Sequence, residues 1–295
     1  MSGQSDAFAT HVERGLTTLC RAWAITRMDG TSFGFTDHDQ ELSFDGITFR
    51  AETGLSASAL AQSTGLSVDN TEALGALSDV AVREDDIEAG RFDGAEVRAW
   101  LVNWAEPDTR WLQFRGTIGE IRRAGGAFHA ELRGLTEALN RPLGRIYQKP
   151  CTAVLGDAAC GFDLTQPGYR HEGAADRVLD GRVFEWDVLS GFDEGWFQRG
   201  RLDVLSGSAA GLWGMIKRDV LDGEVRRVEL WEPIRAAVSA QDTIRLTVGC
   251  DKRFETCRLK FNNLLNFQGF PDLPGDDWVM AYPNGAGANS GGSLR

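Results

Sequence analysis

The chain has 295 residues, of which 42% are apolar, enough to form the cores of two compact units. Its formal charge of -12 argues against a nucleic-acid-binding groove, because such a groove needs clustered Lys and Arg to neutralise phosphates. It has no apolar stretch of about 18 residues and no secretory signal at its start, so we expect a protein made in the cytoplasm without a membrane span.

The chain begins with a predicted amphipathic helix over residues 6–22. Asp6 can cap this helix, whose apolar residues recur at helical spacing: Phe8, Val12, Leu16 and Leu19. Cys20 lies at the end of the stretch, and we expect it to pack in the core rather than to bind a metal.

Short strands separated by turn residues follow, and they predict a mainly β fold with a few short helices. Asp29-Gly30 and Asp45-Gly46 are strong hairpin signals. The strands predicted in the first half are 20–28, 32–36, 41–44, 47–51, 94–104 and 110–118, with a further pair around Gly125-Gly126. The strand at 94–104 alternates in a way that indicates two covered faces. Short helices are predicted within 79–90 and at 136–139.

Pro142, Gly144 and Pro150 indicate a domain boundary within residues 140–150. The predicted domains are therefore 1–148, 149–270 and a flexible Pro/Gly-rich tail at 271–295. In the second domain, the predicted strands of a compact antiparallel sheet or barrel are 177–189, 195–204, 211–219, 225–230 and 243–248.

Four of the five cysteines form two distant pairs, Cys151 with Cys160 and Cys250 with Cys257, and they are the candidate ligands of one metal centre. Gly161 and Gly249 lie beside them and allow tight turns. A disulfide framework is a weaker interpretation, because the cysteine number is odd and the cytosol is reducing.

The spacing within the pairs favours a [4Fe-4S] cluster over zinc. Zinc ligands usually lie two to four residues apart, whereas eight and six residues separate these cysteines. A cubane cluster is larger and accepts wider loops. With four protein ligands the centre would be structural, and Lys252 and Arg253 could balance its negative charge. Zinc remains the alternative cofactor.

Other candidate sites carry less weight. Asp37-His38-Asp39 offers metal-binding side chains but is better explained as a turn stabilised by Asp. Asp193, Glu194 and Asp203 could pair as carboxylates in many folds. No Ser or Cys nucleophile has a recognisable motif, so we predict that the protein is not an enzyme.

Several blocks of the sequence resemble the BR0599-type family of phage and prophage proteins. In the first half these blocks are 34–39 (GFTDHD), 69–70 with 78–79, and 86–87 with 89–95. In the second half they are 151–157 with 160–161, 249–253 with 256–257, 261–263 and 266–271. The resemblance spans residues 8–283, and the cysteine blocks are its most specific part.

The resemblance implies a tail hub, or baseplate hub, protein of long-tailed phages and alphaproteobacterial gene transfer agents. It implies a β-barrel-like N-terminal hub region and a β-rich C-terminal domain whose [4Fe-4S] cluster is bound by Cys151, Cys160, Cys250 and Cys257. The implied assembly is a homotrimer at the tail tip, matched to the sixfold tail tube and joining the distal tail protein to the tail fibre or central spike. A tail-associated peptidase and the tape-measure protein are further implied partners, and DNA is met only in transit.

Two other function classes remain open on the sequence. A zinc-clasped cytosolic binding module would use the same four cysteines. An iron-sulfur redox protein would also need an accessible cluster and a substrate cleft, and the sequence displays neither.

Overall fold

A computed structural model describes residues 6–15, 17–51, 55–57, 70–76, 83–124, 127–134, 144 and 146–273. The chain divides into two compact units, Met1–Pro142 and Leu143–Arg295. Within the described residues, no helix is long and apolar enough to cross a membrane. The domain limits derived from the sequence, 1–148, 149–270 and 271–295, stay a prediction.

The first unit is a curled β-sheet accompanied by short helices, in line with the predicted mainly β class. Its elements are α1 (Asp6–Glu13), β1 (Leu19–Thr26), β2 (Ser32–Thr36), β3 (Leu42–Phe44), β4 (Ile47–Arg50), β5 (Leu55–Ala57), β6 (Asn70–Ala76), α2 (Glu84–Glu88), β7 (Glu96–Asn103), β8 (Arg110–Ala124) and β9 (Ala127–Gly134). The strand order is β3-β4-β2-β1-β7-β8-β9-β6-β5. Neighbouring strands are antiparallel, except that β2 and β4 are parallel.

Both faces of the central strand β7 are covered, as its sequence predicted. Val97 and Ala99 pack in one buried apolar cluster together with Phe114. Trp100 and Val102 belong to a second buried cluster. Since alternate residues of a strand point to opposite faces, the sheet carries apolar side chains on both sides.

The predicted helix at 6–22 is wrong beyond its first half. Helix α1 ends at Glu13, and Gly15 follows with a φ of 75°, a left-handed conformation that commonly ends helices at glycine. The chain then enters β1, where Cys20 is buried and its Sγ donates to the carbonyl oxygen of Val102 at 3.7 Å. Cys20 therefore packs in the sheet, as the sequence predicted, but from a strand.

Both predicted Asp-Gly hairpins are present. Strands β1 and β2 flank the turn at Asp29-Gly30, and β3 and β4 flank the turn at Asp45-Gly46. Asp45 has a φ of 51° and Gly46 a φ of 72°, so both central residues are left-handed, as a type I′ hairpin turn requires.

Some sequence predictions lie wholly or partly outside the described residues. They are the turn at Gly125-Gly126, the helix at 136–139, the start of the helix at 79–90 and most of the tail at 271–295. The described part of the segment 79–90 contains α2, at Glu84–Glu88.

The second unit contains a seven-stranded antiparallel sheet followed by short helices. Its elements are β10 (Arg170–Ala174), β11 (Arg177–Leu179), β12 (Val183–Trp186), β13 (Arg201–Val204), β14 (Trp213–Asp222), β15 (Val225–Leu230), β16 (Thr243–Thr247), α3 (Phe254–Leu259) and a 3-10 helix (Leu264–Asn266). The strand order is β10-β16-β13-β14-β15-β12-β11.

Two predicted strands of this unit are corrected. The strand at 177–189 is a hairpin, because Asp180 and Gly181 have φ values of 50° and 61° and form a tight turn between β11 and β12. The strand at 195–204 begins only at Arg201, since Gly195 and Arg199 are left-handed and residues 195–200 form turns. Strand β10 was missed because its sequence, RHEGA, has no apolar alternation.

A fully buried ion pair ties the sheet to the loop that precedes β13. Arg226 Nε and Nη2 donate to the two carboxylate oxygens of Asp219 at 2.8 and 2.9 Å, and both side chains are 0% exposed. The same guanidinium donates to the carbonyl oxygens of Phe192 and Asp193, at 3.0 and 2.5 Å. Asp219 also accepts the backbone N–H of Phe197 at 2.8 Å. The pair therefore fixes residues 192–197 against β14 and β15.

We predict that Arg226→Met lowers the free energy of unfolding by about 3–5 kcal/mol, because it leaves the Asp219 charge buried without a partner. Urea unfolding of the full chain measures this loss. Arg245→Met is the matched control, since the Arg245–Glu172 pair is 37% and 41% exposed. The control should cost about 1 kcal/mol or less. Equal losses in both variants would contradict this account.

Candidate metal centre

Asp157 organises the loop that carries Cys151 and Cys160. Its carboxylate accepts the N–H of Val154 at 2.8 Å and the N–H of Cys160 at 2.7 Å, and its carbonyl oxygen accepts the N–H of Gly161 at 2.7 Å. These backbone hydrogen bonds, with that of Cys160 foremost, hold the pKa of Asp157 below its ordinary value. Gly161 has a φ of 62°, so the tight turn predicted here is present.

The second pair approaches from the end of the sheet. Cys250 lies shortly after β16, and Cys257 lies in α3. Lys252 has a φ of 67°, and the turn places its N–H 3.4 Å from Cys250 Sγ. The carbonyl oxygen of Lys252 accepts the N–H of Cys151 at 2.8 Å, which joins the two cysteine segments.

The segment after α3 supplies further donors to sulfur. Asn263 Nδ2 donates to the carbonyl oxygen of Cys160 at 2.6 Å and lies 3.5 Å from Cys160 Sγ. The backbone N–H of Gln268 lies 3.4 Å from Cys151 Sγ. Sequence reasoning gave no role to Asn263 or Gln268, although the Asn- and Gln-rich run after Cys257 was a usable signal. Donors of this kind are typical of the surroundings of metal-bound thiolates.

The four predicted ligands line one cavity of about 20 Å³. The other residues lining it include Phe261, Phe267 and Lys252. The two cysteine pairs, which are distant in the chain, therefore border the same cavity. All five cysteines of the chain are free thiols, so the disulfide alternative is not seen.

Among the described residues, no group of three or more His, Cys, Asp or Glu side chains is arranged to hold a metal ion. The predicted cluster stays a prediction.

The cavity disfavours negative charge on the thiols of Cys250 and Cys257. Burial, followed by the neighbouring Cys151, Cys250 and Cys160, raises the pKa of Cys257 to about 11. Burial also raises the pKa of Cys250, against the opposing hydrogen bond and charge of Lys252. Four thiolates at this place need positive charge between them, which a metal centre would provide. The soft donor set and the N–H groups around it fit such a centre.

Gly249 is required by a close backbone approach rather than by the tight turn that the sequence suggested. A Cβ atom at this position would lie 1.7 Å from the carbonyl oxygen of Gln198. Its φ lies outside the left-handed region, unlike that of Gly161. Because Gly249 has no Cβ, the backbone after β16 packs directly against the loop that the buried Arg226–Asp219 pair holds. This packing sets the position of Cys250, the next residue.

The competing site at Asp37-His38-Asp39 is a turn held by its own side chains. Asp37 accepts the N–H of Arg21 at 2.6 Å, and His38 Nδ1 accepts the N–H of Gln40 at 3.0 Å. The carboxylates suggested as a pair have other contacts: Asp203 binds Arg201.

Comparison with known proteins gives two family matches. Residues 5–163 match the family described as baseplate hub protein, N-terminal attachment domain. Residues 195–277 match the family described as phage conserved hypothetical protein BR0599. Among solved structures, a chain from the virion of a native gene transfer agent particle is 53% identical to this chain, with a TM-score of 0.91. The match covers 98% of this chain and 100% of that chain. No curated protein matches.

The fold and these matches define a structural component of a phage-like particle. The chain belongs to the baseplate hub protein family and is a phage-tail-like hub protein, whose partners are other virion proteins. The resemblance found in the sequence is confirmed. Each family model contains one cysteine pair: Cys151 and Cys160 fall in the first, Cys250 and Cys257 in the second.

We predict that Gly249→Ala lowers the free energy of unfolding by at least about 1–3 kcal/mol, the range for overpacking, because the new Cβ meets backbone rather than a movable side chain. Denaturant unfolding measures the loss. Gly144→Ala is the control, since nothing lies within 4 Å of its Cβ position. A Gly249→Ala protein as stable as the control would contradict the close approach.

Proposed function

We propose that the protein is the tail-tip hub of a phage-like particle and that it acts as a homotrimer. It would join the distal tail ring to the fibre or central spike and line the path by which DNA leaves. The observation that carries this proposal is the match over nearly the whole chain to a component of a gene transfer agent virion. The charge of -12 supports it further, because an acidic wall repels DNA and lets it pass without binding.

We further propose that Cys151, Cys160, Cys250 and Cys257 hold a [4Fe-4S] cluster in the second unit. Two observations support this assignment: the shared cavity and the N–H groups near three of the sulfurs. When bound, the cluster would supply metal–thiolate bonds that join the two cysteine segments. Asp157 and Asn263 would orient the first segment, and Lys252 the second.

The proposed role of the cluster is mechanical. The apolar cluster beside the cysteines has only Phe162, Val248 and Phe261 as buried members among the described residues. Such a small core contributes little hydrophobic stabilisation. Joining Cys160 to Cys250 closes a loop of about 90 residues, which removes on the order of 4 kcal/mol of unfolded-state entropy. The clasp would therefore stabilise this end of the unit in a particle that leaves the cell.

Zinc is the second candidate, because four thiolates are also a zinc donor set. A zinc-clasped binding module and an iron-sulfur redox protein remain the alternative functions. Metal analysis separates zinc from iron, and the particle experiment below separates a structural hub from both alternatives.

We predict that anaerobically purified protein is brown and contains about four iron and four sulfide ions per chain. Cys250→Ser should lose this content and unfold its second unit at lower denaturant, while the first unit stays folded. Cys20→Ser is the matched control, because Cys20 belongs to the first unit and is not among the cysteines that line the cavity. Zinc in place of iron, or full iron content in Cys250→Ser, would contradict the cluster.

A particle assembly experiment tests the hub role. Particles produced with Cys250→Ser as their only copy should contain less hub protein and deliver less DNA than particles with Cys20→Ser. Quantitative mass spectrometry of purified particles and a DNA-transfer assay give the two readouts.

Light scattering on the purified protein should give the mass of a trimer. Normal particles with Cys250→Ser would make the clasp dispensable, and particles that form without this protein would exclude the hub role.

A further inference from the structure

Lys260 directly follows α3, three residues after Cys257, in a partly buried position. Its Nζ donates to the carbonyl oxygen of Trp196 at 2.8 Å and to that of Gly249 at 3.1 Å. It also lies 4.3 Å from the centroid of the Trp196 ring and 5.7 Å from that of Phe261. The contact with Gly249 holds the backbone that leads directly into Cys250, and the contact with Trp196 joins it to the loop before β13.

No carboxylate of the described residues forms an ion pair with Lys260. The charges that act on it begin with Cys250, followed by Asp251, Asp219 and Asp193. Burial nevertheless lowers the pKa of Lys260 to about 8, so its positive charge is costly in this place. A buried cation held by carbonyl oxygens and aromatic rings, with a cysteine as its foremost electrostatic partner, suits an anionic centre at that cysteine.

The other cations near the cavity are arranged differently. Lys252 Nζ donates to the carbonyl oxygen of Ala153 and lies at the cavity wall. The Arg253 side chain also lines the cavity, but it is 80% exposed and its Nε lies 3.7 Å from Asp251, so solvent and this partner weaken its effect. The sequence named Lys252 and Arg253 as balancing charges. The structure supports Lys252 for that role, and it indicates Lys260 as a second cation that could balance the negative charge.

We propose that Lys260 is the partly buried charge that sets the reduction potential of the cluster while positioning the backbone at Cys250. This inference rests on the proposed [4Fe-4S] centre. A cubane with four thiolate ligands is anionic, and a one-electron reduction adds one more negative charge. A nearby buried cation stabilises the reduced form more than the oxidised form and so raises the potential.

The test compares Lys260→Met, Lys260→Arg and Lys217→Met in the full chain. Met keeps the length and apolar body of Lys but removes the charge, whereas Arg keeps the charge. Lys217 is the matched control, because its Nζ lies 5.7 Å from the centroid of the Trp231 ring and it does not line the cysteine cavity. Iron and sulfide content and a dithionite titration at controlled potential, followed by absorption and electron paramagnetic resonance, give the readouts.

Lys260→Met should retain its iron and shift the ratio of oxidised to reduced cluster about tenfold towards oxidised, equivalent to about 59 mV for a one-electron couple. Lys260→Arg and Lys217→Met should match the wild type. An unchanged potential in Lys260→Met, or an equal shift in Lys260→Arg, would overturn the charge role. Loss of iron in Lys260→Met alone, with Lys260→Arg intact and unshifted, would also overturn it and leave a positioning role only. Wild-type protein without iron would instead contradict the proposed [4Fe-4S] cluster.

Discussion

The second unit depends on how the backbone around residue 249 is held. The buried Arg226–Asp219 pair fixes residues 192–197 on the sheet, and the loop they begin brings the carbonyl oxygen of Gln198 against Gly249. Cys250 follows at once, and two residues later Lys252 accepts the N–H of Cys151. These contacts connect the buried Arg226–Asp219 salt bridge to the place where the two cysteine segments are hydrogen-bonded. The two segments lie about 90 residues apart in the chain.

This arrangement explains what the sequence could and could not predict about the fold. The Asp45-Gly46 hairpin and the limits of β15 followed from local turn chemistry and alternation, which need no tertiary contact. Strand β10, RHEGA, has no apolar alternation and forms by pairing with β16, so its sequence carries no periodic signal. The end of α1 was signalled by Gly15, yet the apolar spacing continued past it and favoured a longer helix.

The candidate site, like the fold, could be predicted from the sequence only in part. Cysteine chemistry and spacing identified the four thiols, because soft ligands in pairs are informative on their own. The contacts that support these thiols could not be predicted from the sequence, because they join residues that are distant in the chain. Asn263 contacts Cys160, and Lys260 contacts the carbonyl oxygens of Trp196 and Gly249. The family matches then give the protein its place as a phage-tail-like hub.

The most direct test of the account is iron-edge anomalous diffraction from crystals of anaerobically purified protein. The account predicts one compact group of iron peaks per chain, lying between the sulfur atoms of Cys151, Cys160, Cys250 and Cys257. A map with no iron signal there, or a single zinc-edge peak in its place, would contradict the claim that these four thiols hold an iron-sulfur cluster.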